Sequence, residues 1–267
     1  MLRPQLSSQH LAVASAWRWA FFGALSGLLL ALVLFAPATW LAAAVHDASA
    51  GQVQLVEVRG TVWTGSGRLL LAGGKGSRDS AILPGHVNWQ LRPGWLALNA
   101  RLTADCCTPH PLLLRLTPRL DGAVLLLDDG ASQWPAAVLA GLGTPWNTVQ
   151  AEGSLRLVTQ NLSVQWRQRR LAVAGRAELT ALSLSSSLTT LKPMGSYRLT
   201  LTGGSTTLLE LATLEGSLQM SGKGQWVDSR LRFAGMANAA PEHEAALANL
   251  LNIIGRRNGA RSIITLG

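Results

Sequence analysis

Hydrophobic and polar positions fall into two regimes along this chain. From Trp19 to Ala36 the sequence WAFFGALSGLLLALVLFA carries no charge, and Ser26 is its only polar side chain. Eighteen residues at about 1.5 Å each span roughly 27 Å as a helix, close to the hydrocarbon thickness of a bilayer. After residue 50 the period becomes two. Leu162-Ser163-Val164-Gln165-Trp166, Val87-Asn88-Trp89-Gln90-Leu91 and Tyr197-Arg198-Leu199-Thr200-Leu201 alternate, as does Leu171-Ala172-Val173 leading into Gly175. Runs of this kind, bounded by Gly, Pro, Asn or arginine-rich turns, predict half-buried antiparallel strands.

A short echo runs through the alternating region. Glu152-Gly153-Ser154-Leu155 is followed by Trp166 and then Val173-Ala174-Gly175-Arg176-Ala177. Glu215-Gly216-Ser217-Leu218 is followed by Trp226 and then Phe233-Ala234-Gly235-Met236-Ala237. The echo predicts a repeated strand–turn–strand unit laid side by side. Residues 128–149, with Pro135 and Pro145, break the pattern and mark a surface excursion or a seam. Pro241-Glu242-His243-Glu244 opens a helix whose stripe is Leu247, Leu250, Leu251 and Ile254, stopping before Gly255. A last strand is expected over Ile263 to Leu266. The fold class is mainly β: one N-terminal transmembrane helix, an antiparallel meander sheet, elongated and curved, and a short C-terminal helix.

The apolar run fixes an expected topology. Its lipid-facing residues are Trp19, Phe21, Phe22, Leu28, Leu29, Leu30, Leu32, Val33, Leu34 and Phe35, flanked by interfacial Trp17 and Trp40. Arg3 and Arg18 precede it, and the first acidic residue is Asp47. The positive-inside rule keeps residues 1–18 in the cytoplasm, makes 19–45 the anchor and exports 46–267, to the periplasm in a bacterium. Ala42-Ala43-Ala44 and Ala48-Ser49-Ala50 also offer cleavage sites for a signal peptide. The apolar core of a signal is about 7–15 residues, shorter than this run, so an uncleaved anchor is expected.

Composition changes the picture in three ways. The chain of 267 residues is 48% hydrophobic and only 14% charged, which excludes intrinsic disorder. Twenty arginines and three lysines stand against 14 acidic residues, giving a net charge of +9. Taking Arg3 and Arg18 away leaves +7 for the exported region, where nucleic acid is not available as a partner. Two cysteines exclude a disulfide scaffold. Cys106 and Cys107 are neighbours, whereas ordinary disulfides join Cα atoms about 4.4–6.8 Å apart, so a bridge between them would be strained and reducible, and two small, partly buried apolar residues are the preferred reading.

Reactive constellations are missing. No Gly-x-Ser-x-Gly elbow and no Walker loop occurs. Gly65-Ser66-Gly67, Gly74-Lys75-Gly76, Gly141-Leu142-Gly143 and Gly222-Lys223-Gly224 lack the third glycine of a dinucleotide fingerprint and read as hairpin turns. His243-Glu244 begins a zinc-protease motif, but Leu247 takes the place of the second ligand. His46, His86 and His110 are isolated in turn-like sequence, and Asp128-Asp129 reads as a solvated loop. No catalytic residue, metal site or cofactor is expected. Arg167, Arg169 and Arg170 crowd a turn after Trp166, either as a solvated hairpin tip or as a contact for anionic lipid or an acidic partner. Arg256, Arg257 and Arg261 follow the last helix. Trp63, Trp89, Trp95, Trp134, Trp146, Trp166 and Trp226 fill a sheet-face core or line an interface. Arg167, Arg169, Arg170, Trp134 and Trp146 form the candidate interaction surface.

Several ordered motifs together resemble a known family. Gly60-Thr61-Val62-Trp63-Thr64-Gly65 and Leu83-Pro84-Gly85 through Val87, Trp89, Leu91, Arg92 and Pro93 are similar to the N component of the type II (general) secretion system. Pro145-Trp146-Asn147-Thr148 running into Glu152-Gly153-Ser154-Leu155 is similar too, as are Gly195-Ser196-Tyr197-Arg198-Leu199 and Leu214-Glu215-Gly216-Ser217-Leu218. The resemblance implies a non-catalytic, single-pass inner-membrane subunit of the machine that exports folded proteins across the outer membrane. The partners it implies are the inner-membrane platform and the outer-membrane secretin, with membrane lipid around the anchor. A second reading rests on the repeated strands. They could curl into an apolar trough that holds lipid, as in the AsmA-like proteins that the meander resembles.

Overall fold

The computed structural model describes residues 9–73, 79–144, 146–167, 170–227 and 230–267. Helix α1 (Gln9–Leu34) is apolar all round, so no one face favours packing on the sheet. Its stretch Trp17–Leu34 is long and apolar enough to cross a membrane, and no part of it is buried. Pro37 interrupts the helix, and α2 (Ala38–Ala48) starts directly after it. Residues 38–45, the last part of the expected anchor, lie in α2, which packs on the first strand.

The alternating region forms one antiparallel sheet. Its first strands are β1 (Val53–Gly60), β2 (Thr64–Ala72), β3 (Ser80–Ile82), β4 (Val87–Pro93), β5 (Leu98–Ala104), β6 (Leu112–Arg119), β7 (Gly122–Leu127) and β8 (Gly130–Pro135). Two long strands follow, β9 (Glu152–Arg167) and β10 (Arg170–Ser185). The rest are β11 (Gly195–Thr202), β12 (Leu208–Gly216), β13 (Leu218–Val227), β14 (Arg230–Ala239), β15 (Arg256–Asn258) and β16 (Arg261–Leu266). The order is β1-β2-β4-β5-β6-β7-β9-β10-β11-β12-β13-β14-β16-β15, with β3 beside β2 and β8 beside β9. Neighbours in sequence are almost always neighbours in space, as short hairpin links require.

The sequence echo is structural. Hairpins β9–β10 and β13–β14 each pair a tryptophan near the tip with a leucine, Trp166 with Leu171 and Trp226 with Leu231. Two glycine triplets behave differently from expectation. Gly65-Ser66-Gly67 and Gly222-Lys223-Gly224 lie inside β2 and β13, not in turns. Their missing side chains make room for rings: a Cβ on Gly65 would stand 2.6 Å from Trp89, and one on Gly222 would overlap Phe233. Gly141-Leu142-Gly143 does end an element, with Gly143 at φ 80°. Gly74-Lys75-Gly76 and Pro145 lie outside the described residues.

Registers carry one apolar face across the whole sheet. Leu155, Ala181 and Tyr197 share one row at one end of the strands, and Leu157, Leu179, Leu199 and Leu211 share the next. The 3-10 helix Ala136–Leu142, α3 (Trp146–Val149) and α4 (Glu244–Ile254) cap that end. Leu247, Leu250 and Leu251 of α4 are fully buried, together with Leu218, Ala237 and Met194. Burial of each such leucine contributes about 1.5–3 kcal/mol. Segment 128–149 therefore folds as β8, the 3-10 helix and α3 over the sheet. Asp128-Asp129 joins β7 to β8, and the Asp129 carboxylate accepts the Asn161 N–H where β9 bulges.

Candidate interaction surface

The helix–sheet joint is built from the residues of the first motif. The turn between β1 and β2 receives the chain leaving α1. Pro37 bridges Thr61, the Val62 N–H donates to Ala36 O at 2.9 Å, and the Trp63 indole donates to Val33 O at 2.7 Å. Behind the turn, buried Trp89 donates its indole N–H to Thr61 O and Val62 O at 3.2 and 3.1 Å. Two tryptophan N–H groups thus tie apolar rings to backbone carbonyls, which fixes the position of the apolar helix against the sheet.

Strand direction gives the sheet two ends. The joint lies at the end where β4 leads into β5, β6 into β7 and β9 into β10. The caps lie at the other. Away from the caps the apolar face is less covered. Leu91, Ala100, Leu114, Leu127 and Leu162 form one row across β4, β5, β6, β7 and β9, and Leu98, Leu116, Leu125 and Val164 form the next. All of them are only half-buried. Still nearer the tips, Trp166 and Leu171 are exposed. The opposite face of β4–β6 is polar, with Asn88, Gln90, Arg92, Asn99, Arg101 and Arg115, and Arg115 donates to Asn99 at 3.2 Å.

The residues singled out from the sequence do not converge on one patch. Trp19, Phe21, Phe22, Leu28, Leu29, Leu30, Leu32, Val33, Leu34 and Phe35 are all exposed along α1 and beyond its end. Arg18 lies within α1, whereas Arg3 lies outside the described residues. Arg167 is half-exposed and pairs with Asp121 at 3.6 Å. Arg170 opens β10 opposite Arg167 in register. Arg169 lies outside the described residues. Trp134 sits at the capped end, paired with Leu155, where it packs against both buried clusters and donates to Ser132 Oγ at 2.8 Å. At that location its ring joins the two cores, the packing role also open to it from the sequence. Trp146 is partly exposed on α3, again at the capped end. Arg167 and the two tryptophans therefore stand at opposite ends of β9.

One further expectation is corrected, that of the cysteines. Cys106 and Cys107 form a vicinal disulfide, their Cα atoms 3.7 Å apart. The turn after β5, closed by Cys107 N–H and Thr108 N–H donating to Ala104 O, brings the two sulfurs together. Trp95, read from the sequence as filling a core or lining an interface, is 96% exposed beside Leu96 at 72%. Both occupy the tip of the β4–β5 hairpin, where Gly94 N–H donates to Ala97 O at 2.7 Å. The alternation of Leu91 with Pro93 on one side and Leu98 with Ala100 on the other left only four residues for the link, and that spacing was the available signal. Leu120, in the two-residue β6–β7 tip, is likewise fully exposed.

No group of three or more His, Cys, Asp or Glu side chains that could hold a metal ion occurs among the described residues. His86 Nδ1 stands 4.0 Å from an Asp105 oxygen that also accepts the His86 N–H, so this pair shapes a turn. Tyr197, the one tyrosine of the chain, is buried and donates to Leu218 O at 3.0 Å. Burial pushes its hydroxyl pKa well above the usual tyrosine value. These polar groups serve the fold. What remains open to partners is sheet: the half-covered apolar face, the exposed tips and the short edge strand β15, kept short and charged by Arg256 and Arg257.

No curated protein and no solved structure matches the chain. The family model for type II secretion system protein N matches residues 51–264, from the start of the first strand almost to the end of the last. The motif residues that carry the resemblance are also those that build the helix–sheet joint and the long strands, and the chain belongs to the type II secretion system protein N family.

Proposed function

We propose that this protein is a non-catalytic inner-membrane subunit that supports type II secretion by holding a β-sheet at the exported face of the membrane. The observation that carries the reading is the family match over nearly the whole sheet. The apolar helix supports it, with Arg18 at its head and no acidic residue before Asp47. On this reading residues 1–18 are cytoplasmic, α1 spans the bilayer and 46–267 lie in the periplasm. The partners are other components of the machine, with the inner-membrane platform within reach of the anchor and the secretin further out. They would be met through exposed tips, the edge strand β15 and the half-covered apolar face.

Deleting the gene in its host should leave secreted substrates folded in the periplasm. Wild-type protein should restore their release, and a version with α1 replaced by a cleaved signal should not. Unchanged secretion in the deletion strain would remove the reading. A second reading has its own support: the rows Leu91–Leu162 and Leu98–Val164 offer an uninterrupted apolar strip to an acyl chain. Native mass spectrometry after mild detergent extraction should then find a bound phospholipid, lost in Leu114→Ser/Leu125→Ser. Protein free of lipid would leave the strip to protein partners.

A further inference from the structure

The hairpin tips beside the helix–sheet joint have side chains that neither turn chemistry nor packing explains. Tight two-residue links favour Asn, Asp and Gly. Here the β4–β5 tip presents Trp95 and Leu96, and the β6–β7 tip presents Leu120, all strongly exposed. On the same rim Arg59, Arg92 and Arg119 are exposed and form no ion pair with any described residue. At the other end of the sheet the charges are mixed and partly paired: Asp105, Glu152 and Glu215 stand with Lys192 and Arg261, and Lys192 pairs with Glu152 at 3.3 Å.

We infer that this rim sits on the bilayer, with Trp95 and Leu96 entering the interface and the arginines binding anionic phospholipid headgroups. The occupant is the leaflet that α1 leaves, so the inference rests on the anchor reading above. Continuity fixes the choice. Val33 and Ala36, at the end of the apolar helix, are hydrogen-bonded to the β1–β2 turn. The stretch Trp17–Leu34 is otherwise uncovered, so it leaves the sheet past this rim and does not lie along it. The Leu91 N–H donates to Trp63 O at the level of the joint, and β4 continues to Pro93 before its tip. Those two further strand residues carry the tip about 7 Å past the joint, at roughly 3.4 Å per residue. Interfacial apolar groups settle about 5–10 Å into the headgroup and acyl boundary, the same depth. Tryptophan suits that layer, its ring apolar and its N–H free for a carbonyl or phosphate. Three unpaired arginines above it complement an anionic surface. The anchor would then hold the sheet at a set tilt, with its capped end directed away from the membrane.

Placing a diazirine amino acid singly at positions 29, 95, 96, 120, 110 and 192 of the full chain tests the inference. Each protein is reconstituted into vesicles of phosphatidylethanolamine and phosphatidylglycerol, irradiated and analysed for lipid adducts by mass spectrometry. Adducts are expected at 29, 95, 96 and 120 and absent at 110 and 192, which lie in turns of the capped end. Adducts at 29 but none at 95, 96 or 120 would overturn the rim inference and leave the anchor intact. No adduct at 29 would overturn both. Equal labelling at 110 and 192 would also overturn the inference, because the rim would have no special place. Arg92→Gln and Arg119→Gln should each lower the share of phosphatidylglycerol in the adducts at 95 by roughly fivefold. An unchanged share would remove the arginines from the contact. Neither substitution touches a packed residue, so the sheet remains folded.

Discussion

The two ends of the same strands are built differently. At the capped end, Leu155, Ala181, Tyr197 and Leu218 are buried beneath α4 and the 3-10 helix. At the joint end, the same apolar face continues through Leu116, Leu125 and Val164, half-buried and with no helix above it among the described residues. Alternation is equally good at both ends, so sequence pattern alone does not distinguish them. Caps do. One end is closed into a core that gives the sheet its stability, and the other keeps apolar surface beside the apolar helix. A sheet face left uncovered in a monomer marks a place where something else binds.

Substitutions can break that comparison. Leu251→Ala, in the closed core, should cost about 2–5 kcal/mol of unfolding free energy in denaturant titrations of the micelle-bound chain. Leu116→Ala, in the open end, should cost about 1 kcal/mol or less, since its side chain already meets solvent. Equal losses would mean that both ends are core.

Tyr197 gives the next largest effect. Tyr197→Phe removes a buried hydrogen bond to Leu218 O, a loss of about 1 kcal/mol. The same residue makes stability depend on pH. Its raised pKa keeps the folded chain protonated where an unfolded tyrosine, near 10.0, has lost its proton. Its contribution is therefore complete below pH 10 and declines as pH rises further. With a single tyrosine, phenolate absorbance should appear only as the chain unfolds, and Tyr197→Phe should flatten that part of the pH profile. The smallest change belongs to Ser262, whose buried hydroxyl has no hydrogen-bond partner among the described residues. Ser262→Ala should be neutral or raise stability slightly, by up to about 1 kcal/mol. A clear loss would reveal a polar contact at the capped end.

Local pattern made much of the fold legible. The period of two marked β4, β9, β10 and β11, and the stripe Leu247, Leu250, Leu251 and Ile254 marked α4 with its buried face. What stayed hidden depends on contacts between residues far apart in the chain. Gly65 and Gly222 read as turns because the rings that need their space, Trp89 and Phe233, come from other strands. The sequence leaves Trp134 between core and interface because its packing partners lie in two separate clusters. The interaction surface was the least legible part. Arg167 was singled out for its charge, yet Asp121 pairs with it. Trp95 and Leu120 show their role only when the hairpins place them on one rim with the joint. The motif Gly60–Gly65 was visible from the start, but its task of gripping Val33 and Ala36 required the structure.

The most direct test compares the two ends inside an assembled secretion machine. Photoreactive residues at Leu116 and Leu125, on the open face, and at Ile253 and Glu242, on the capped end, would be irradiated in secreting cells. Other components of the secretion system, or lipid, should be captured from Leu116 and Leu125 and far more weakly from Ile253 and Glu242. Capture confined to the capped end, or none at either end in a machine that is secreting, would contradict the account.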